Sequence, residues 1–205
     1  KPPTLIKHIS HIHNPLGNGN CGFRAATLSL GRGTDEWPEI RKEMMAQLDS
    51  NPLFRDVKFM KNVFGASNEE ARHRLNHLHG PVNNRDHWAK FLAHAYLMAE
   101  TFNRPVVFFD KYPVTYLPLS SSPPPDADES PICLIFLESL QHIITFKFKS
   151  YQWPAPRIES FWHRWADRDA RSWEVMIKDN LDKGKEEFYP PVRKSTRKPK
   201  VIEID

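Results

Sequence analysis

The segment Gly17-Asn18-Gly19-Asn20-Cys21-Gly22-Phe23-Arg24-Ala25 (GNGNCGFRA) decides how the rest of this chain is read. Gly17 to Asn20 is a turn signal. The run that follows, CGFRAATLSL, favours a helix through Arg24, Ala25, Ala26 and Leu28, and Gly31 and Gly33 end it. Cys21 therefore opens a helix, where the first backbone N–H groups have no partner inside the helix and the macrodipole is positive. Both effects lower a thiol pKa and favour the reactive thiolate. The same N–H groups can hold an oxyanion, and Gly17 and Gly19 let the backbone turn sharply enough to present them. The competing reading is a small residue buried behind a glycine turn, since a nucleophilic cysteine also needs a base.

Outward from this segment the chain divides by hydrophobic period. Lys1 to Pro15 reads as irregular, with Ile6, Ile9 and Ile12 spaced to pack on a core. Asp35–Leu48 predicts a second helix, with Trp37, Ile40, Met44 and Leu48 on one face, and Asn68–Leu78 a third, stopped by Gly80-Pro81. Asp86–Phe102 predicts a fourth, with Trp88, Phe91, Leu92, Ala95, Met98, Ala99 and Phe102 as its buried stripe. Then come short β-branched and aromatic runs: PVVFFD (105–110), VTYLPL (114–119), ICLIFL (132–137) and HIITFKF (142–148). Ser120–Ser130 reads as a loop, and Glu138–Gln141 as the turn of a hairpin joining the last two runs. A final helix is expected over Arg157–Leu181, carrying Phe161, Trp162, Trp165, Trp173 and Ile177 inward and closed by Lys183-Gly184. Helices, a small and mostly antiparallel sheet, then helix again make an α+β pattern.

The base has to be one of ten histidines, and His142 fits best because it opens a strand straight after a short turn. Strand ends and helix N-termini are where a Cys and a His far apart in sequence can meet. Its plainer reading is a half-exposed strand residue. The second cysteine, Cys133, sits inside the apolar run ICLIFL and reads as a buried, inert thiol.

The continuation of GNGNCGFRA resembles a known family. The motif is similar to the nucleophile segment of OTU (ovarian tumour) cysteine proteases, D-G-N-C followed by an apolar residue, an aromatic and Arg-Ala. The Trp37 helix, HWAKFLAHAYLMAETFNRPVVFF, QHIITFKF, WPAP and FWHRWADRDARSW resemble, in that order, the OTU-like domains associated with Mutator-type transposons and far-red-impaired-like proteins. The likeness runs from about Ile12 to Trp173, specific at the cysteine and a matter of pattern in the middle. It implies a papain-like fold and an isopeptidase that removes ubiquitin or a relative of it from lysines, with Cys21 as nucleophile and His142 as general base. Backbone amides of Asn18, Gly19 and Cys21 would form the oxyanion hole. Two positions depart from the family: Asn18 stands where Asp is usual, and Ile144 stands where Asp or Asn often orients the histidine. Asn14 is then the first candidate to orient the ring, matching an Asp often found upstream of the cysteine in the transposon-type domains, and Asn18 the second. An Asn can fill that role in a Cys-His-Asn arrangement. A catalytically silent OTU-like module that binds ubiquitin or SUMO, or serves a transposon-encoded protein, is the alternative.

Composition bounds the rest. With 205 residues, 40% hydrophobic and 26% charged, the chain has the make-up of a globular domain. It carries no membrane-length apolar run and no signal-peptide pattern, and two cysteines do not make a disulfide scaffold. An intracellular, reducing compartment is expected, cytoplasmic or nuclear, with a monomer as the expected state. The first residue is Lys, which suggests a domain excised from a longer product. Net charge is +4, but Arg193, Lys194, Arg197, Lys198 and Lys200 against Glu203 and Asp205 give the last stretch +3, leaving +1 for everything before it. Residues 1–185 are therefore read as the protease-like domain and 186–205 as a basic tail. The tail reads either as a linker or nuclear-localisation-like patch, or as a SUMO-interacting strand through Val201, Ile202 and Ile204. Nucleic acid is expected as a partner only through these cations. No cofactor or metal is implied. His8, His11 and His13 lack a further spaced ligand, and His73 and His77 flank Arg74, where a zinc helix would need its glutamate. Core packing accounts for most of the late tryptophans (Trp153, Trp162, Trp165 and Trp173), and one of them could wall the narrow substrate channel that the OTU resemblance implies.

Overall fold

A computed structural model describes residues 4–125 and 130–189, with the backbone alone at Thr4, Phe91 and Leu92. Val201, Ile202, Ile204 and the basic residues before them lie outside the described residues, as do residues 126–129 of the long loop. Five strands form one sheet: β1 (Ile9–His13), β2 (Val106–Phe109), β3 (Val114–Tyr116), β4 (Ile132–Leu137) and β5 (His142–Phe148). Their spatial order is β1-β5-β4-β2-β3, antiparallel throughout except where β2 runs parallel to β4. The fold is α+β, a small mostly antiparallel sheet flanked by helices, as the change of period predicts.

The helices are α1 (Cys21–Ser29), α2 (Trp37–Ser50), α3 (Val57–Phe59), α4 (Asn68–Leu75), α5 (Phe91–Phe102), α6 (Trp162–Trp165), α7 (Ser172–Met176) and α8 (Lys178–Phe188). Helix α1 lies against β5, β4 and α2, burying Phe23, Ala25 and Ala26. One face of the sheet joins this helical core through Val106, Phe108, Ile132, Leu134 and Ile143. The other face packs Val107, Phe109, Cys133 and Phe146 against Leu5, Trp153 and Ala155. Because both faces are covered, all four residues of β2 are buried and the strand reads as a continuous apolar run rather than an alternating one.

Four expectations change. Lys1–Pro15 is not irregular throughout: a 3₁₀ turn (Thr4–His8) leads into β1, an edge strand held by backbone pairing to β5. Of its isoleucines only Ile9 packs against the core, beside the buried Leu5, while Ile6 and Ile12 are exposed. The fourth helix begins at Phe91 rather than Asp86. Arg85–His87 is a 3₁₀ turn, Trp88 is extended, and the His94 ring accepts the Lys90 backbone N–H at 2.7 Å to fix the helix start. The third helix stops at Leu75, with Asn76 as its cap. The expected long C-terminal helix is three short ones, and Gly184 does not close the last of them. A Cβ at Gly184 would run into the Ala155 carbonyl, so glycine there serves the close approach of α8 to the chain before it.

Candidate active site

Cys21 and His142 are brought to one cleft. The connection after β4 is a 3₁₀ turn (Glu138–Leu140) and Gln141 in a left-handed conformation, so β5 starts at His142, paired with Leu137. Helix α1, packed along β5, starts at Cys21. The cleft between them has a volume of about 680 Å³ and is lined by Gly17, Gly19, Cys21, Gly22, Trp88, Ala89, Phe108, Asp110, Tyr112, Val114, Tyr116, Phe136, Leu140, Gln141, His142 and Ile143. Its walls are largely apolar and aromatic, and among the described residues Asp110 supplies its only carboxylate.

His142 is held from behind. Its Nε2–H donates to Asn14 Oδ1 at 2.7 Å, on the segment that follows β1. That bond places the ring proton on Nε2 and leaves Nδ1 with a free lone pair. The Nδ1 edge faces the nucleophile loop: a Cβ at Gly17 would lie 3.5 Å from it. Asn18, the other orienting candidate, is turned to its own loop, where Oδ1 accepts the Asn20 N–H at 3.3 Å.

The loop before Cys21 is pinned to the segment between α4 and α5. Val82 N–H donates to the Asn18 carbonyl at 2.8 Å, and Asn20 Nδ2 donates to the Gly80 carbonyl at 3.0 Å. Gly19 has φ +81°, and a Cβ there would collide with Val82 and sit 2.9 Å from the Trp88 indole nitrogen. Only glycine allows both this turn and this approach.

Electrostatics at the sulfur differ from the sequence expectation. Burial pushes the Cys21 thiol up, and the N–H groups of Ile143, Gly22 and Cys21 itself pull it down less strongly. Desolvation outweighs the helix terminus, so the free protein carries a thiol here and needs its base to generate the thiolate. Cys133 is wholly buried and its thiol is pushed far up by desolvation, in keeping with an inert core residue.

Trp88 is the functional-looking residue that sequence reasoning misplaced. Its spacing to Phe91 marks it as core, yet it is half-buried and forms part of the cleft wall. Of the late tryptophans, Trp153, Trp162 and Trp173 are core and none lines the cleft. Histidines of the two sequence clusters pack against neighbouring groups. His8 meets Glu187, and the rings of His73 and His77 each pack against that of His87. Among the described residues, no group of three or more His, Cys, Asp and Glu is arranged to hold a metal ion. Nor is any described helix long and apolar enough to cross a membrane.

No family model and no curated protein sequence matches this chain. Among solved structures it is similar to the viral OTU domain protease from Dera Ghazi Khan virus, with a TM-score of 0.49 and 13% identity, over 71% of this chain and 85% of that one.

Proposed function

We propose that this protein is a cysteine isopeptidase of OTU type, a hydrolase of ubiquitin or ubiquitin-like conjugates. The observation that carries the reading is the Asn14–His142 hydrogen bond behind a ring whose other nitrogen faces the Cys21 loop. The motif resemblance around Cys21 supports it independently. In this mechanism His142 Nδ1 takes the Cys21 proton as sulfur attacks the carbonyl carbon of the conjugate's terminal glycine. The oxyanion forms against the backbone N–H groups of Gly19 and Cys21, whereas the Asn18 N–H, expected to join them, donates to the Leu16 carbonyl at 3.1 Å. His142 then gives the proton to the departing lysine amine, leaving a thioester. Water, deprotonated by His142, releases the carboxylate and regenerates the thiol. Asn14 keeps the imidazole in the tautomer and orientation this requires. The half-buried, largely apolar cleft suits a slender acyl segment that sheds its water on entry.

Hydrolysis of ubiquitin carrying a fluorogenic C-terminal amide tests this. Cys21→Ala is expected to lose at least about a thousandfold in kcat/KM. Equal rates for the two proteins remove the enzyme reading. A silent binding module is the second reading, favoured by the raised Cys21 thiol. It gives ubiquitin or SUMO binding with no turnover in either protein.

A further inference from the structure

The N-terminus of α1 breaks a rule of helix capping. Asn is among the best N-cap residues because its side-chain oxygen accepts an N–H from the second or third helical residue. Asn20 stands at that position and makes no such bond, and its backbone (φ −102°, ψ 5°) lies outside the extended region that capping residues use. Its side chain is instead wholly buried beneath the loop. Oδ1 accepts from Arg41 Nη2 at 2.9 Å while Nδ2 reaches the Gly80 carbonyl.

Arg41 is itself unusual. It is 0% exposed, and no carboxylate among the described residues pairs with it. Its guanidinium lies 3.8 Å from the centre of the Phe23 ring. Besides Asn20 it donates to the carbonyls of Arg74 (2.8 Å) and His87 (2.9 Å). Burying a cation without a counter-charge is costly, and well-packed apolar residues often replace whole buried ion pairs with no loss of stability. On α2, between the buried Ile40 and Met44, an aliphatic residue would fill the space. It could hold neither Asn20 nor the Arg74 and His87 carbonyls, and of these only Asn20 adjoins the nucleophile.

We infer that Arg41 is a positioning residue for the nucleophile. It captures Asn20 Oδ1 and so prevents that side chain from capping α1, which leaves the first-turn N–H groups free for the Cys21 sulfur and for an anion formed beside it. The second role rests on the isopeptidase reading; the first does not, because the Cys21 and Gly22 N–H groups already act on the sulfur in the free protein. Without Arg41, Asn20 relaxes to the extended conformation and its oxygen takes the N–H of Gly22 or Phe23. An acceptor then competes for the donors that steady the thiolate. The other ionisable groups on the cleft, namely His142 on β5, Asp110 and Tyr112 after β2, and Tyr116 on β3, stay in place.

The test is the pH dependence of Cys21 alkylation by iodoacetamide, followed by mass spectrometry of the Cys21 peptide, with kcat and KM on the fluorogenic substrate and Tm alongside. Arg41→Met is expected to raise the alkylation midpoint by about half a pH unit or more. It should also lower kcat about tenfold at similar KM. Adding Asn20→Ala to Arg41→Met restores both, since nothing is left to cap the helix, and Arg41→Lys keeps part of the wild-type behaviour. Asn20→Ser, a good cap too short to reach Arg41, reproduces the raised midpoint with Arg41 intact and serves if Arg41→Met does not fold. An unchanged midpoint in Arg41→Met and Asn20→Ser, or a double variant worse than Arg41→Met, overturns the assignment. If the midpoints move as expected while wild type cleaves no substrate, the positioning role stands and the isopeptidase reading falls.

Discussion

At the scale of single residues, the chemistry turns on which atom each hydrogen bond leaves free. Asn14 accepts from His142 Nε2, so the nitrogen toward the nucleophile loop is the one able to accept a proton. Asn14→Ala frees the ring to turn and change tautomer, and is expected to lower kcat by about ten- to a hundredfold with KM little changed. Asn14→Asp, which offers the same acceptor, retains most of the rate. Steady-state kinetics of the two variants check this, and an Asn14→Ala enzyme as fast as wild type would remove the orienting role. Cys21 and His142 were legible because each stands at a boundary that local residues mark: a glycine turn before helix formers, a short turn before a β-branched run. Asn14 was reached only through a family likeness, because nothing in the local pattern says that the end of an edge strand lies behind a histidine 128 positions away. Arg41 was not legible at all. A guanidinium between Ile40 and Met44 reads as a solvent-facing gap in an amphipathic pattern, and its burial follows from partners on three other segments.

At the scale of elements, α5 shows how a side chain sets a boundary that periodicity misses. His94 is fully buried, its Nδ1 accepts the Lys90 N–H, and its ring meets the edges of Phe23 and Phe64. Burial, with help from nearby Arg41, Arg74 and Lys90, depresses its pKa to about 3. The folded protein therefore holds His94 neutral at pH values where the unfolded chain protonates it. Unfolding takes up a proton below pH 6.5, and stability falls as pH drops from there toward 3. The limiting slope is about 1.4 kcal/mol per pH unit. Urea denaturation at a series of pH values should show this limb, and His94→Gln, which keeps an acceptor for Lys90 without titrating, should flatten it. An identical limb in both proteins would place the acid sensitivity elsewhere. The apolar stripe of α5 continues N-terminally through Trp88 in sequence but not in space. For that reason a cleft residue looked like core. Edge strand β1 was hidden for the opposite reason, as backbone pairing holds it and leaves a side-chain pattern that is mostly exposed.

At the scale of the whole molecule, a nearly neutral body carries the cleft, and most of the net charge lies in the last sixteen residues. The body closes on itself before that tail: Lys7 pairs with Glu187 at 2.6 Å, Phe188 packs on Phe109, and the Tyr189 hydroxyl donates to the Pro113 carbonyl at 3.0 Å. A chain ending at Tyr189 should thus keep the Tm and the fluorogenic rate of the full chain. If Val201, Ile202 and Ile204 form a SUMO-binding strand, the shortened chain loses SUMO binding measured by titration calorimetry. Undiminished binding would place that contact on the body instead. The central claim, that Cys21 attacks the end of a ubiquitin-like chain with His142 as its base, is tested most directly by intact-mass measurement after incubation with ubiquitin and SUMO propargylamide probes. A covalent adduct of one probe is expected on wild type, at Cys21, and none on Cys21→Ala. No adduct with either probe, or equal adducts on wild type and Cys21→Ala, would contradict that claim.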